Sequence, residues 1–276
     1  MKRRRIIQHT LGQLVLTVAS ILAIFPLLWI VLSSFKRDID AQGPAAEAFD
    51  FVPTLDNYTE LFQSSEFLAA GLTTVVTATA TTVGALIIGT LAAYGFARRW
   101  IPARRTLVTI LVLVQVVPVV VLLIPLYRIA STLGLYDQWL AVIIVQIGLN
   151  TPFATWLMLA FIRAIPIEVE EAALIDGANQ FQLFRFVLLP MLRSGIVAAG
   201  ILTAISAWNS FIIPVILGQS RTRTLTTYIA KFSSQDQLLW AEMCAAAVLI
   251  MAPIVIFALV MQKSLLAGMT AGSLKF

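Results

Sequence analysis

Apolar runs of about 20 residues or more recur along the chain, separated by short segments that hold most of the charge. Six can be drawn, at 11–32, 67–97, 107–127, 139–162, 195–217 and 240–261. Each is long enough to cross a hydrocarbon core of about 30 Å as an α-helix. None has the alternating period of a barrel strand, and only helices or closed barrels satisfy their backbone hydrogen bonds in lipid. The pattern predicts an all-α, polytopic membrane bundle of about six transmembrane helices, with both termini on one side.

Composition agrees, since 59% of the 276 residues are hydrophobic and 12% charged, with a mean hydropathy of +0.92. A net charge of +5 would suit nucleic-acid binding only on a soluble basic module, and the chain has none. The charge reports topology instead. Placing the termini inside puts 13 of the 19 Lys and Arg residues on the cytoplasmic face, among them Arg98, Arg99, Arg104, Arg105, Arg163, Arg185, Arg193 and Lys275. Of the acids, Glu168, Glu170, Glu171 and Asp176 fall inside and the other 10 outside. Asp50 and Gln235 are predicted to be external.

The basic start Met1-Lys2-Arg3-Arg4-Arg5 resembles that of a signal peptide, but the following run is long and has no small-residue cleavage site, so it reads as an uncleaved first helix. Residues 1–276 are read as one transmembrane domain: 1–66 form the first helix and an external loop, 67–262 the core bundle, and 263–276 a cytoplasmic tail. The segments 33–66 and 218–239 either touch an external partner or serve as solvated connectors. Cys244 stands alone. One histidine and no cluster of metal ligands leave no catalytic or metal site to assign, which argues against a membrane enzyme.

Several spans carry polar residues: Thr73, Thr74, Thr77, Thr79, Thr81 and Thr82 in the second, Gln115 in the third, Gln146 and Asn150 in the fourth, Ser206 and Asn209 in the fifth. An amide in hydrocarbon is costly unless it is paired across helices or faces water. The threonines have a simpler explanation, because a Thr hydroxyl can bond the carbonyl one turn back. Pro118, Pro125, Pro152, Pro214 and Pro253 each remove a backbone donor and loosen a helix, freeing carbonyls to line a cavity.

The most regular stretch lies between the fourth and fifth spans. It runs Ile165-Pro166-Ile167-Glu168-Val169-Glu170-Glu171-Ala172-Ala173-Leu174-Ile175-Asp176-Gly177-Ala178, then through Phe181 and Phe184 to Leu188-Leu189-Pro190. Pro166 suits a helix start, the glutamates complement its positive end, and Gly177 permits a turn. A second short helix follows, with Phe181, Phe184 and Leu188 predicted on one face. The segment, about 163–193, reads as a compact helical hairpin lying along the membrane.

The spacing Glu171-Ala172-Ala173, three residues, Gly177, nine residues, Val187-Leu188-Leu189-Pro190 resembles the EAA loop of bacterial ABC-importer permeases; Val187 stands where isoleucine is usual. Segments 26–36 and 266–275, Ala93-Tyr94-Gly95-Phe96-Ala97-Arg98 and Ala207-Trp208-Asn209-Ser210-Phe211 are similar to the MalG-type branch that serves carbohydrate uptake, although many relatives carry an acid where Ser210 stands. The resemblance implies the type I ABC importer permease fold in a bacterial inner membrane. It assigns ATPase coupling to Glu170, Glu171, Ala172, Ala173, Asp176, Gly177, Phe181 and Pro190. It also implies a second, MalF-type permease, two ATPase subunits that hold ATP and Mg, and an external solute-binding protein. This chain has no phosphate-binding G-x-x-x-x-G-K-[S/T] loop of its own and needs no cofactor.

Uncharged, hydroxyl-rich solutes suit amides and aromatic faces, which makes Gln115, Gln146, Asn150, Trp208 and Asn209 the candidate solute-pathway residues. The competing reading is a self-contained secondary transporter or channel. That would need a midplane ionisable group or a filter, whereas Glu242 lies near a span end and His9 at the terminus. Within importers, a polyol or a glycerol phosphate ester is the alternative to a saccharide.

Overall fold

The computed structural model describes residues 2–44, 49–99, 101–232 and 239–271, which leaves Gln235 and Lys275 outside the described residues. Among these residues every regular element is a helix. In order they are α1 (Lys2–Ser33), α2 (Asp38–Ala41), α3 (Asp56–Gln63), α4 (Ser65–Arg98), α5 (Arg104–Val114), α6 (Val119–Thr132), α7 (Trp139–Ala164), α8 (Ile167–Ile175), α9 (Gln180–Gln182), α10 (Leu189–Met191), α11 (Arg193–Trp208), α12 (Ile212–Leu217), α13 (Leu225–Tyr228) and α14 (Trp240–Ala271). Four stretches are long and apolar enough to span a membrane: Gly12–Ser33, Ser65–Arg98, Trp139–Ala164 and Trp240–Leu259. Two bent pairs raise the number to as many as six if each pair is one span.

The chain divides into two compact units, one of residues up to Leu68 with Ile229–Pro253, the other of Ala69–Tyr228 with the chain after Pro253. In the first unit, the segment after α1 is fastened rather than free. Asn57 on α3 donates to Ser34 O and Lys36 O at 2.9 and 2.8 Å, and Tyr58 Oη meets Ser34 Oγ at 2.6 Å. These bonds occupy carbonyls that a helix C-terminus leaves unpaired. Asp38 Oδ1 accepts from Ala241 N at 2.8 Å, so a carboxylate from α2 caps α14.

In the second unit, α4 and α7 touch through small residues. A Cβ at Gly89 would sit 2.8 Å from Ala154 Cβ and 3.0 Å from Thr155 N, so only glycine lets these backbones approach so closely. Two apolar clusters grip α7. One gathers Ala93, Met158, Leu159, Ile162, Ile165, Leu183, Leu188, Leu192 and Ala199, and the other Ala130, Ala141, Val142, Ile213 and Leu217. Gln146 and Asn150 lie between them along the helix. Three threonines of α4 bond one turn back, Thr74 to Ala70 O, Thr77 to Thr73 O and Thr82 to Ala78 O.

Two of the predicted continuous spans are interrupted. The run 107–127 is split at Gln115–Pro118 into α5 and α6, whose axes differ by 91°. Pro118 has no amide hydrogen and sits in extended backbone at φ −60°, ψ 123°, which ends the α5 hydrogen-bond ladder. The run 195–217 is split at 209–211 into α11 and α12. Neither α5 nor α6 alone, at about 1.5 Å per residue, reaches across a bilayer core.

Asp137, between α6 and α7, takes the left-handed conformation at φ 58°. Its carboxylate accepts from Gln219 N at 2.8 Å, Arg221 N at 3.2 Å, and Thr222 N and Oγ1 at 3.2 and 3.0 Å. Burial pushes its pKa upward, but the bonds from Gln219, Arg221 and Thr222 outweigh this and hold it below the ordinary value. Stability from a depressed carboxylate is present above the unfolded pKa and lost as pH falls through the folded one. Asp137→Asn is expected to cost about 1 kcal/mol at pH 7, the group being partly solvated. Thermal midpoints of the purified transporter should show a wild-type advantage that shrinks below about pH 4. An advantage constant from pH 7 to 3.5 would show that the charge does not hold this loop.

Candidate coupling surface and translocation cavity

The end of α7 and the start of α8 follow from one proline. Ile165 precedes Pro166 and is extended at φ −83°, ψ 123°, so α7 stops there and α8 starts just beyond. At the far end of α8, Gly177 takes φ +89° while Ala178 N reaches Ala173 O at 3.0 Å and Gly177 N reaches Leu174 O at 3.1 Å, a Schellman turn. The next helix starts at once: Asn179 Oδ1 accepts from Gln182 N, and Gln182 Oε1 accepts from Asn179 N, closing a capping box.

A buried ion pair sets this hairpin on the bundle. Arg98, the last residue of α4, donates through Nε to Glu170 Oε1 and through Nη2 to Ile162 O at 2.9 Å and Ile165 O at 2.6 Å. Tyr94 Oη donates to the other Glu170 oxygen at 3.1 Å. One guanidinium thus binds the α8 carboxylate and the carbonyl end of α7, where a cation is also favoured by the helix dipole. Both Arg98 and Glu170 are nearly excluded from solvent. Glu170 faces the interior, whereas Glu171, Ala172, Asp176 and Gly177 are exposed and Ala173 packs against the apolar cluster.

The second half of the hairpin departs from the predicted helical phase. Leu183–Leu188 form a π-helical turn in which Leu189 N bonds Phe184 O, five residues back. That period buries Leu183 and Leu188 and packs Phe184 edge-on to Tyr94, with centroids 5.9 Å apart. Phe181 therefore does not share their face and stands 70% exposed. Pro190 is exposed, at the end of this turn. The segment Gln180–Met191 meets α11 at 75°.

The two helix breaks of the second unit border one cavity of about 590 Å³. Gln115 and Pro118 line it from the first break, Asn209, Ser210 and Phe211 from the second, Gln146 and Asn150 from α7, and Ser206 from α11. Four of the five predicted pathway residues come together here. Trp208 is half-buried and does not line the cavity, because α11 ends at that residue and the chain turns at Asn209. Asn150 Nδ2 bonds Gln146 O at 2.8 Å and Asn209 Nδ2 bonds Ile205 O at 3.0 Å. Gln146 Oε1 accepts from Thr81 at 3.1 Å, while its Nε2 is buried without a hydrogen-bond partner among the described residues. An unmet buried donor costs about 1–3 kcal/mol.

Residues 85–270 match the family described as binding-protein-dependent transport system inner membrane component. The chain belongs to that family. It is similar to the trehalose transport system permease protein SugB of Mycobacterium tuberculosis, 34% identical over 92% of this chain and 93% of that protein. The sulfoquinovosyl glycerol transport system permease protein SmoH of Agrobacterium fabrum is 31% identical over 93% and 92%. A solved bacterial ABC transporter that imports the acidic polysaccharide alginate has the same fold, with a TM-score of 0.78 at 22% identity over 93% of this chain and 96% of that one. The MetNI methionine ABC transporter matches at a TM-score of 0.55 and 20% identity, over 73% and 93%. The expected type I permease fold is thereby shown.

Sequence reading missed Arg98 as a structural hub. It was legible only as a basic residue at a span end, since nothing in the pattern pairs it with a carboxylate 72 positions away. Removing one partner of a buried pair strands the other charge and costs about 3–5 kcal/mol. Glu170→Ala should therefore lower the thermal midpoint of the assembled transporter more than the Arg98→Met, Glu170→Ala double variant does. Singles whose costs simply add would show that the two charges are not coupled.

Proposed function

We propose that this chain is the MalG-type permease half of an ATP-driven importer for a neutral, polyhydroxylated solute, and that the α8–α10 hairpin is its ATPase-coupling surface. The observation that carries the reading is a single helix, α7, which bears the amides of the cavity in its middle and the Arg98-bound hairpin at its end. A push on the hairpin is transmitted to α7 and so to the cavity wall. Rigid-body motion of this kind, biased by ATP, is a common way to switch between two states.

In this reading the hairpin and both termini are cytoplasmic, in keeping with the basic asymmetry of the sequence. ATP and Mg belong to two separate ATPase subunits that meet the exposed Glu171, Ala172, Gly177 and Phe181. Glu170, Ala173 and Asp176 shape that surface, Glu170 from within. A second, MalF-type permease completes the pathway, and an external binding protein delivers solute; a solved relative is a bacterial alginate ABC transporter in complex with a pentasaccharide-bound periplasmic protein.

The cavity's polar lining is amide and hydroxyl, with no charged side chain among the lining residues, which supports a saccharide or polyol over a phosphate ester. The names of SugB and NgcG, permeases for trehalose and diacetylchitobiose, point the same way.

Gly177→Val forces a β-branched residue into left-handed backbone, and Glu171→Lys reverses a charge on the exposed face. Both should abolish uptake in cells with normal insertion of the protein; wild-type uptake and ATPase stimulation in both would remove the hairpin from the coupling role. Asn209→Ala should leave assembly and basal ATPase normal but change uptake unequally among related sugars, because a lost hydrogen bond penalises only the solutes that use it. Loss in equal proportion for every solute, tracking assembled complex, would make Asn209 a packing residue.

A further inference from the structure

Three helix ends meet at the coupling end of the second unit: α4 stops at Arg98, α5 starts at Arg104 and α7 stops at Ala164. Between them lies a cavity of about 880 Å³, lined by Arg99, Arg104, Arg105 and Arg163 with Ile101 and Val108 on its apolar wall. It shares no residue with the amide-lined cavity and has no carboxylate in its lining. Arg98 next door is neutralised by Glu170, whereas among the described residues Arg99 makes a long bond, 3.4 Å, to Gln180 Oε1. Four guanidinium groups facing one space repel each other, and an anion placed among them turns that repulsion into charge-assisted, bidentate hydrogen bonding.

The ends of membrane-spanning helices mark the depth of the headgroup layer. From the arginines the wall continues along α5 through Val108, and one turn further on the same side Val112 is exposed at 41%, in what must be hydrocarbon. A phosphate beside an acyl chain matches that sequence of charged and apolar surface better than a free anion does. We propose that this arginine-lined cavity holds the headgroup phosphate of an anionic phospholipid from the leaflet on the coupling side, and that the bound lipid steadies the junction of α4, α5 and α7. Basic pockets between spanning helices are a recognised way of gripping such headgroups.

The test uses the complete transporter in nanodiscs of phosphatidylcholine with increasing phosphatidylglycerol, lipid retention being read by native mass spectrometry and stability by thermal midpoint. Wild-type protein is expected to retain phosphatidylglycerol over phosphatidylcholine and to gain stability with it. Removing two charges, by Arg104→Gln with Arg163→Gln, should reduce that preference roughly thirtyfold. Arg105→Gln alone should reduce it roughly fivefold, which keeps the test open if the double variant fails to assemble. Unchanged preference in both variants overturns the proposal. So does stabilisation of the detergent-solubilised transporter by inorganic phosphate with no lipid preference, which would make the cavity a free-anion site. Loss of ATPase-subunit copurification with lipid preference intact would make it a protein contact and overturn it equally.

Discussion

The guanidinium of Arg98 joins three parts of the chain that would otherwise be independent. It bonds Glu170 on α8 and the last carbonyls of α7, while its own backbone ends α4. In a medium that excludes water, each of those groups carries a large penalty if left alone, so the arrangement is close to all-or-none. The apolar cluster around Met158, Ile162, Leu183 and Leu188 closes over the same point and keeps it dry. Packing and charge reinforce each other here, and the result is a hairpin fastened to the bundle.

Along α7 the chemistry changes in bands. Apolar contacts at Ala141 and Val142 give way to the amides of Gln146 and Asn150, and these to Ala154, Met158 and Ile162. The amide band lies where two neighbouring spans are broken, at Gln115–Pro118 and at 209–211. Irregular backbone is tolerated at membrane depth only where it is buried in protein or lines a cavity, and both breaks line this one. Discontinuity and polarity therefore coincide at one cavity.

The loops are also built with more constraint than their composition suggests. Asp137 gathers four donors from the chain after α12, and Asn57 closes the end of α1. Such ties set the approach of each span and let the helices between them keep long, featureless apolar sequences.

Helix number, the hairpin and its glycine turn were legible in the sequence, because apolar length, proline and Gly177 act over a few residues. The polar residues of the spans were legible as costs that something must offset, and four of them proved to share one cavity. Which carboxylate meets Arg98, the 91° break of the third span, the outward turn of Phe181 and the exclusion of Trp208 were decided by tertiary structure alone. Each depends on contacts between residues far apart in the chain or on a helical period that shifts from α to π under packing, and no local pattern encodes either.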